Sequence, residues 1–173
     1  VADCVRPNQV SNVSFSAKNY QEGFFNFWVV QFTTSPTGGL VAGDTITVKM
    51  GGVAFDSNTT YATSRDGLYA SGRAVSSDTV TLTLQAGGSL GASQTGTVTL
   101  GVFNPTARTL SSANLTVSTS KDTVVAVANE DVVITPKPGP KLTGLFVAPE
   151  GTTLATLLRD AIVVELKDGQ TAY

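Results

Sequence analysis

Apolar and polar positions alternate along most of residues 10 to 135. Val13-Ser14-Phe15-Ser16-Ala17 alternates strictly. Thr45 to Met50, Thr79 to Leu84 and Thr97 to Val102 each put aliphatic side chains on one face and mostly threonine on the other. That is the period-two signature of a half-buried strand. Asn114 to Ser118 repeats the pattern, and Asp131 to Thr135 adds a last strand. In the aromatic run Phe24 to Phe32, the spacing predicts that Phe24, Trp28, Val30 and Phe32 share one face. Between these runs lie Pro36-Thr37-Gly38-Gly39, Gly51-Gly52, Gly87-Gly88 and Asn104-Pro105, residues that supply a positive or a fixed φ at turns. Short strands, each with one apolar face and separated by frequent turns, predict an all-β sandwich or barrel. The polar outer faces argue against a parallel sheet covered by helices.

The glycine turn and Thr-rich strand at 38–48 are echoed at 87–98, as two similar corners of one sandwich. Three prolines within Pro136-Lys137-Pro138-Gly139-Pro140-Lys141 then end the ladder and form a stiff connector. The expected organisation is an N-terminal arm at 1–9, a β-sandwich at 10–135, a Pro-rich linker at 136–141 and a C-terminal segment at 142–173. That last piece holds two short apolar runs and a short helix beginning at Thr152 or Thr153. It is too small to stabilise itself, so it docks on its own sandwich, opens a second β domain, or pairs with a neighbouring molecule.

A set of segments runs in a familiar order: Gln31-Phe32-Thr33-Thr34-Ser35, Gly39 to Val48, Thr79 to Leu84, Asn104-Pro105 and Thr119-Ser120-Lys121-Asp122-Thr123. Over residues 10 to 125 this resembles the repeated β-sandwich domains of large bacterial, and some algal, surface-layer and adhesin-like proteins. The resemblance implies an Ig-like antiparallel β-sandwich on a secreted or cell-surface protein. It implies no catalytic residue.

Composition narrows the chemistry. Of 173 residues 41% are apolar and 14% charged, against about 25% charged in an average chain. Thr, Ser and Gly replace the missing charge, as on the sheet faces of secreted β-proteins. No apolar run reaches the ~18 to 20 residues of a spanning helix, so no membrane insertion is expected. The net charge is −2 and the 11 Lys and Arg are scattered, so neither nucleic acid nor an anionic membrane is an expected partner. The chain begins at Val1 with no leader pattern and reads as a processed or excised piece, compatible with secretion.

There is no histidine, which removes Ser-His-Asp and Cys-His nucleophiles and histidine metal sites. The single cysteine, Cys4, is either a free or buried thiol or the half of an intermolecular disulfide. Asp56, Asp66, Asp78, Glu130 and Asp131 are the carboxylates available for hydrolase chemistry, but they fall at turns and strand ends, so the chain is not expected to be an enzyme. Asp56-Ser57-Asn58 and Asn129-Glu130-Asp131 offer oxygens for calcium without completing a ligand loop. No cofactor is expected. Sequons stand at Asn12, Asn58 and Asn114, possible N-glycosylation sites; alternation turns Asn12 and Asn114 outward if Val13 and Leu115 face the core. Trp28 is either core or, with Tyr61 and Tyr69, part of an aromatic glycan platform, the two tyrosines lying in a polar stretch expected to be a loop between strands.

Two functions compete. The first is a non-catalytic subunit of an extracellular surface layer or filament. Its copies or neighbouring domains assemble by β-strand contacts, with part of 142–173 added to a neighbour's sheet edge. The second is a carbohydrate-binding or adhesive module using Tyr61 and Tyr69. A hydrolase or enzyme-accessory role depending on Asp56 or Asp131 is the third and weakest.

Overall fold

The computed structural model describes residues 7–139. The chain divides into two compact units, Val1–Pro136 and Lys137–Tyr173. Cys4, the last two residues of the expected linker (140–141) and the whole of the 142–173 segment lie outside the described residues.

Among the described residues eleven strands form antiparallel sheets. β1 (Ser11–Ser16), β2 (Phe25–Thr33) and β7 (Thr95–Phe103) make the first sheet, with β2 in the middle. The second runs β10-β9-β3-β6-β5-β4, with β3 Thr45–Met50, β4 Tyr61–Arg65, β5 Leu68–Ser76, β6 Thr79–Leu84, β9 Leu115–Thr119 and β10 Ala126–Val127. β8 (Arg108–Leu110) and β11 (Val132–Ile134) form a short ribbon, and a single 3-10 turn, Ser112–Asn114, precedes β9. The first, second and seventh strands stand where A, B and E stand in an immunoglobulin-like sandwich, and β3, β9 and β10 where C, F and G stand.

The core follows from the alternation. Trp28, Val30 and Phe32 of β2 and Val98 and Leu100 of β7 meet Ile46, Val48, Leu82 and Val117 from the second sheet, all fully buried. Threonine fills the outer face of that second sheet, where Thr47 and Thr81 share a hydroxyl hydrogen bond of 3.2 Å across the register.

Two sequence expectations are corrected. Phe24 does not join the inward face of β2: it precedes the strand and is exposed, and the inward position next to Trp28 is held by Asn26. The stretch from Tyr61 to Tyr69 is not a loop but the β4–β5 hairpin, turned by Asp66 and Gly67 at φ 54° and 80°. That pair is the Asp-Gly combination a two-residue hairpin favours.

The corners at 34–44 and 84–94 meet. Leu40 and Leu90 donate to each other's carbonyls at 2.7 and 3.0 Å, and both are buried. Asp44 accepts from the Val41 amide as Gln94 accepts from the Gly91 amide, both at 2.9 Å. Leu84 donates to Asp44 as Thr34 donates to Gln94. The echo in the sequence is therefore a local two-fold relation between two sheet-to-sheet crossovers.

Aspartates hold several turns. Burial alone raises the pKa of Asp44, but the Val41 amide, the Ser120 hydroxyl and Lys121 together outweigh it and hold the carboxyl below its ordinary value. Asp78 is lowered by the Ser76 and Thr79 hydroxyls, Asp56 by the Asn58 amide and Asp131 by the Ser112 amide. A depressed folded-state pKa contributes stability above the unfolded value and loses it as pH falls through the folded one. Thermal unfolding is thus expected to stay flat from about pH 5 to 8, since no histidine titrates there. It should fall below the ordinary carboxylate value of 3.8. Scanning calorimetry from about pH 2 to 8 checks this, and Asp44→Asn should flatten the acid limb.

Candidate functional site

The first sheet contains no ionisable residue in any of its strands, SNVSFS, FNFWVVQFT and TGTVTLGVF. The second sheet carries Lys49, Arg65 and Arg73. The module therefore has two unlike outer faces, one charged and one not.

The uncharged face is graded along its length. Register places Phe25 opposite Phe103, Phe27 opposite Gly101, Val29 opposite Thr99, Gln31 opposite Thr97 and Thr33 opposite Thr95. Phenylalanine rings thus gather at one end and hydroxyl and amide groups at the other. Phe25 packs edge-on against Phe27 at 5.4 Å and against Phe103 at 5.1 Å. A Cβ at Gly101 would stand 3.0 Å from Phe25 and 3.2 Å from Phe27, so the bare strand there lets both rings lean across it.

This packing leaves the rings in solvent. Phe25 is 45% exposed, Phe27 65% and Phe103 62%, with exposed Phe24 next in sequence. At roughly 150–250 Å² per phenylalanine, the three rings offer on the order of 300–400 Å² of apolar surface. A patch of that size is what functional surfaces show, whereas isolated exposed apolar residues are ordinary.

The aromatic end is held from beneath by Asn104, which is buried. Its Oδ1 accepts from Asn26 Nδ2 at 3.1 Å and from the Trp28 indole at 3.0 Å. Its Nδ2 donates to the carbonyls of Asn19 and Gln21 at 2.9 and 2.7 Å. Its backbone donates to Phe24 and accepts from Gly23. One side chain thus fills its full hydrogen-bonding capacity and ties the 19–24 turn to the ends of β2 and β7.

The expected site residues do not come together as a platform. Tyr61 is buried, edge-on to Phe55 at 5.4 Å, with its hydroxyl accepting from the Asp56 amide. Its inward phase on β4 removes it from any glycan surface. Tyr69 is exposed on β5, and Trp28 is in the core. Asn12, Asn58 and Asn114 are exposed, the last on the 3-10 turn rather than on a strand.

Asp56 uses both oxygens on its own turn, accepting from the Asn58 amide and the Thr59 hydroxyl. Asp131 holds the Ser112 amide at 2.7 Å and, with Asn129 and Glu130, borders a cleft of about 340 Å³ beside Tyr20. Among the described residues no three His, Cys, Asp or Glu side chains form a metal-binding group. No described helix is long and apolar enough to cross a membrane.

Alternation in the sequence marks Phe25 and Phe27 as opposite in phase to Trp28. It is the pairing of β2 with β7, seventy residues apart by register, that adds Phe103 to them.

No protein-family model matches the chain, and no curated protein matches it. Solved structures similar in fold include the following two. BslA, described as a bacterial hydrophobin, is 16% identical, with a TM-score of 0.41 over 72% of this chain and 96% of that one. An uncharacterized protein from Nocardia farcinica with an immunoglobulin-like fold is 20% identical, with a TM-score of 0.42 over 66% of this chain and 81% of that one.

Proposed function

We propose that this chain is a non-catalytic structural module of an extracellular assembly, and that it meets its neighbours through the uncharged aromatic face of the β1-β2-β7 sheet. The observation that carries this reading is the cluster of Phe25, Phe27 and Phe103, exposed together on a sheet with no ionisable residue. Leaving such a patch in water opposes solubility, so a surface of this kind is retained for a contact. The described sheet edges offer less. Gln9 bridges Val124 and the Val13 carbonyl accepts from Asn129 along one side, while Thr63 of β4 donates to the Thr97 carbonyl of β7 along the other. The carboxylates with depressed pKa values serve turns, which suits a scaffold.

Phe27→Ser combined with Phe103→Ser tests the reading. Each ring is already more than half exposed, so the double variant should unfold within about 1 kcal/mol of the wild type. Its self-assembly, followed by sedimentation velocity and light scattering, should fall at least tenfold in apparent affinity, about 1.4 kcal/mol or more. Unchanged assembly with an intact fold would remove the aromatic face from the function.

A further inference from the structure

We infer that the occupant of the aromatic face is the same face of a second copy, related by a two-fold axis running along β2. This rests on the reading above, that the face is an assembly surface, and specifies its partner and geometry.

Charge selects the partner. A copy of the first sheet brings no ionisable group against itself, because none of its strands holds one. The opposite sheet carries Lys49, ion-paired with Asp78 at 3.6 Å, together with Arg65 and Arg73, and the same arrangement would take these charged groups out of water. Only one of the two faces is thus compatible with its own image, which is what an isologous contact requires.

The grading selects the orientation. β2 is the middle strand, so an axis along it sets each row of the register over the same row of the partner. Phe25 and Phe27 of β2 then meet their own counterparts, and Phe103 of β7 flanks them on the side where the partner's β1, ending opposite Val29, leaves the row open. At the other end the hydroxyls meet hydroxyls, where Thr33 and Thr95 already share a 3.0 Å hydrogen bond that accepts further partners. The reversed stacking lays the rings over Gln31, Thr33 and Thr95 and covers with carbon the hydrogen-bonding capacity that the Thr33–Thr95 bond leaves unused.

Area sets the strength. Three strands about 4.8 Å apart and nine residues at about 3.3 Å per residue give a footprint of roughly 14 by 30 Å. This is well under the roughly 800 Å² that each partner contributes to a standard stable interface. The pair is therefore weak and concentration-dependent, and becomes persistent where many copies are held close together.

The experiment uses the full chain with Cys4→Ser, so that Thr33→Cys supplies the one thiol. In the two-fold arrangement Thr33 faces its own counterpart, and mild oxidation or a short bismaleimide should give a covalent dimer. Adding Phe27→Ser and Phe103→Ser should reduce its yield at least tenfold. In the reversed stacking the two thiols lie about 26 Å apart and no such dimer forms.

Phe-dependent assembly without a Thr33→Cys dimer overturns the two-fold pairing while leaving the assembly reading intact. Assembly indifferent to the phenylalanines overturns both. A wild type monomeric at every concentration, yet adsorbing to an oil–water interface through the phenylalanines, gives the face to an apolar surface instead. A monomer whose Phe27→Cys thiol reacts only after residues 140–173 are removed gives it to the chain's own C-terminal part. Either result also overturns the pairing.

Discussion

Asn104→Ala is expected to destabilise the fold by about 4 kcal/mol, a large fraction of the stability of a domain this size. The side chain is buried and satisfies four partners at once: the Trp28 indole, the Asn26 amide and the carbonyls of Asn19 and Gln21. Removing it strands the buried Trp28 indole, at about 1–3 kcal/mol, and gives up the bonds to the half-buried turn carbonyls, at about 0.5–1.5 kcal/mol each. Asn26 keeps its other bond, to the Asn19 carbonyl, and the Gln21 carbonyl keeps the Phe24 amide at 3.3 Å, so the largest loss falls on the Trp28 indole. Asn104→Asp is the informative companion, because it retains the acceptor for Trp28 and Asn26 and removes both donations to the turn. Urea unfolding should rank wild type above Asn104→Asp at neutral pH, with Asn104→Ala also well below wild type. A cost under about 1 kcal/mol for Asn104→Ala would show that the network is dispensable. The same variant should weaken assembly although it alters no exposed atom, since Asn104 anchors the strand ends that carry Phe25 and Phe103.

Gly72→Ala should cost about 3 kcal/mol. Gly72 lies in β5, where β6 approaches so closely that a Cβ would overlap the carbonyl oxygen of Thr81 and reach within 3.0 Å of the Leu82 Cα. The obstructing atoms are backbone, so no rotamer change relieves the clash. Relief requires separating β5 from β6, and β4 moves with β5 as its hairpin partner. Gly87→Ala is the control for ordinary glycine replacement. It has a φ of 84° but nothing within 4 Å, so it should cost only about 1–2 kcal/mol from the left-handed backbone alone. Equal losses for the two variants, measured by thermal unfolding, would refute the steric account of Gly72.

Much of the fold was legible because Thr-Val and Thr-Leu alternation states which residues share a face. Ile46 and Val48, Val80 and Leu82, Val98 and Leu100 all went inward as their period required. The β4–β5 hairpin was not legible from its strands, since Ala62, Ser64, Ser71 and Gly72 give almost no hydrophobic contrast. The Asp66-Gly67 pair was its clearest sign. Tyr61 went astray for the same reason: in so polar a stretch its inward phase is set by the pairing with Gly72, not by its neighbours in sequence. The aromatic face was hidden differently. Residues 25, 27 and 103 become one surface only through the β2–β7 register, and alternation does not say which side of a strand apolar on both faces has a covering layer.

The paired crossovers bear on how such a chain can be made. The Leu40–Leu90 bridge joins residues fifty apart, and it lies between the strands that pass from one sheet to the other. β3 gains β6 only with Leu84, β2 gains all of β7 only with Phe103, and β3 gains β9 only with Thr119. A topology so dominated by distant pairings folds in roughly milliseconds to seconds rather than microseconds, and in one concerted step. An incomplete chain leaving a ribosome or translocon therefore cannot display the phenylalanine face in ordered form. If the face pairs copies as proposed, that capacity arises last, with closure of the whole sandwich, and unfinished chains lack it.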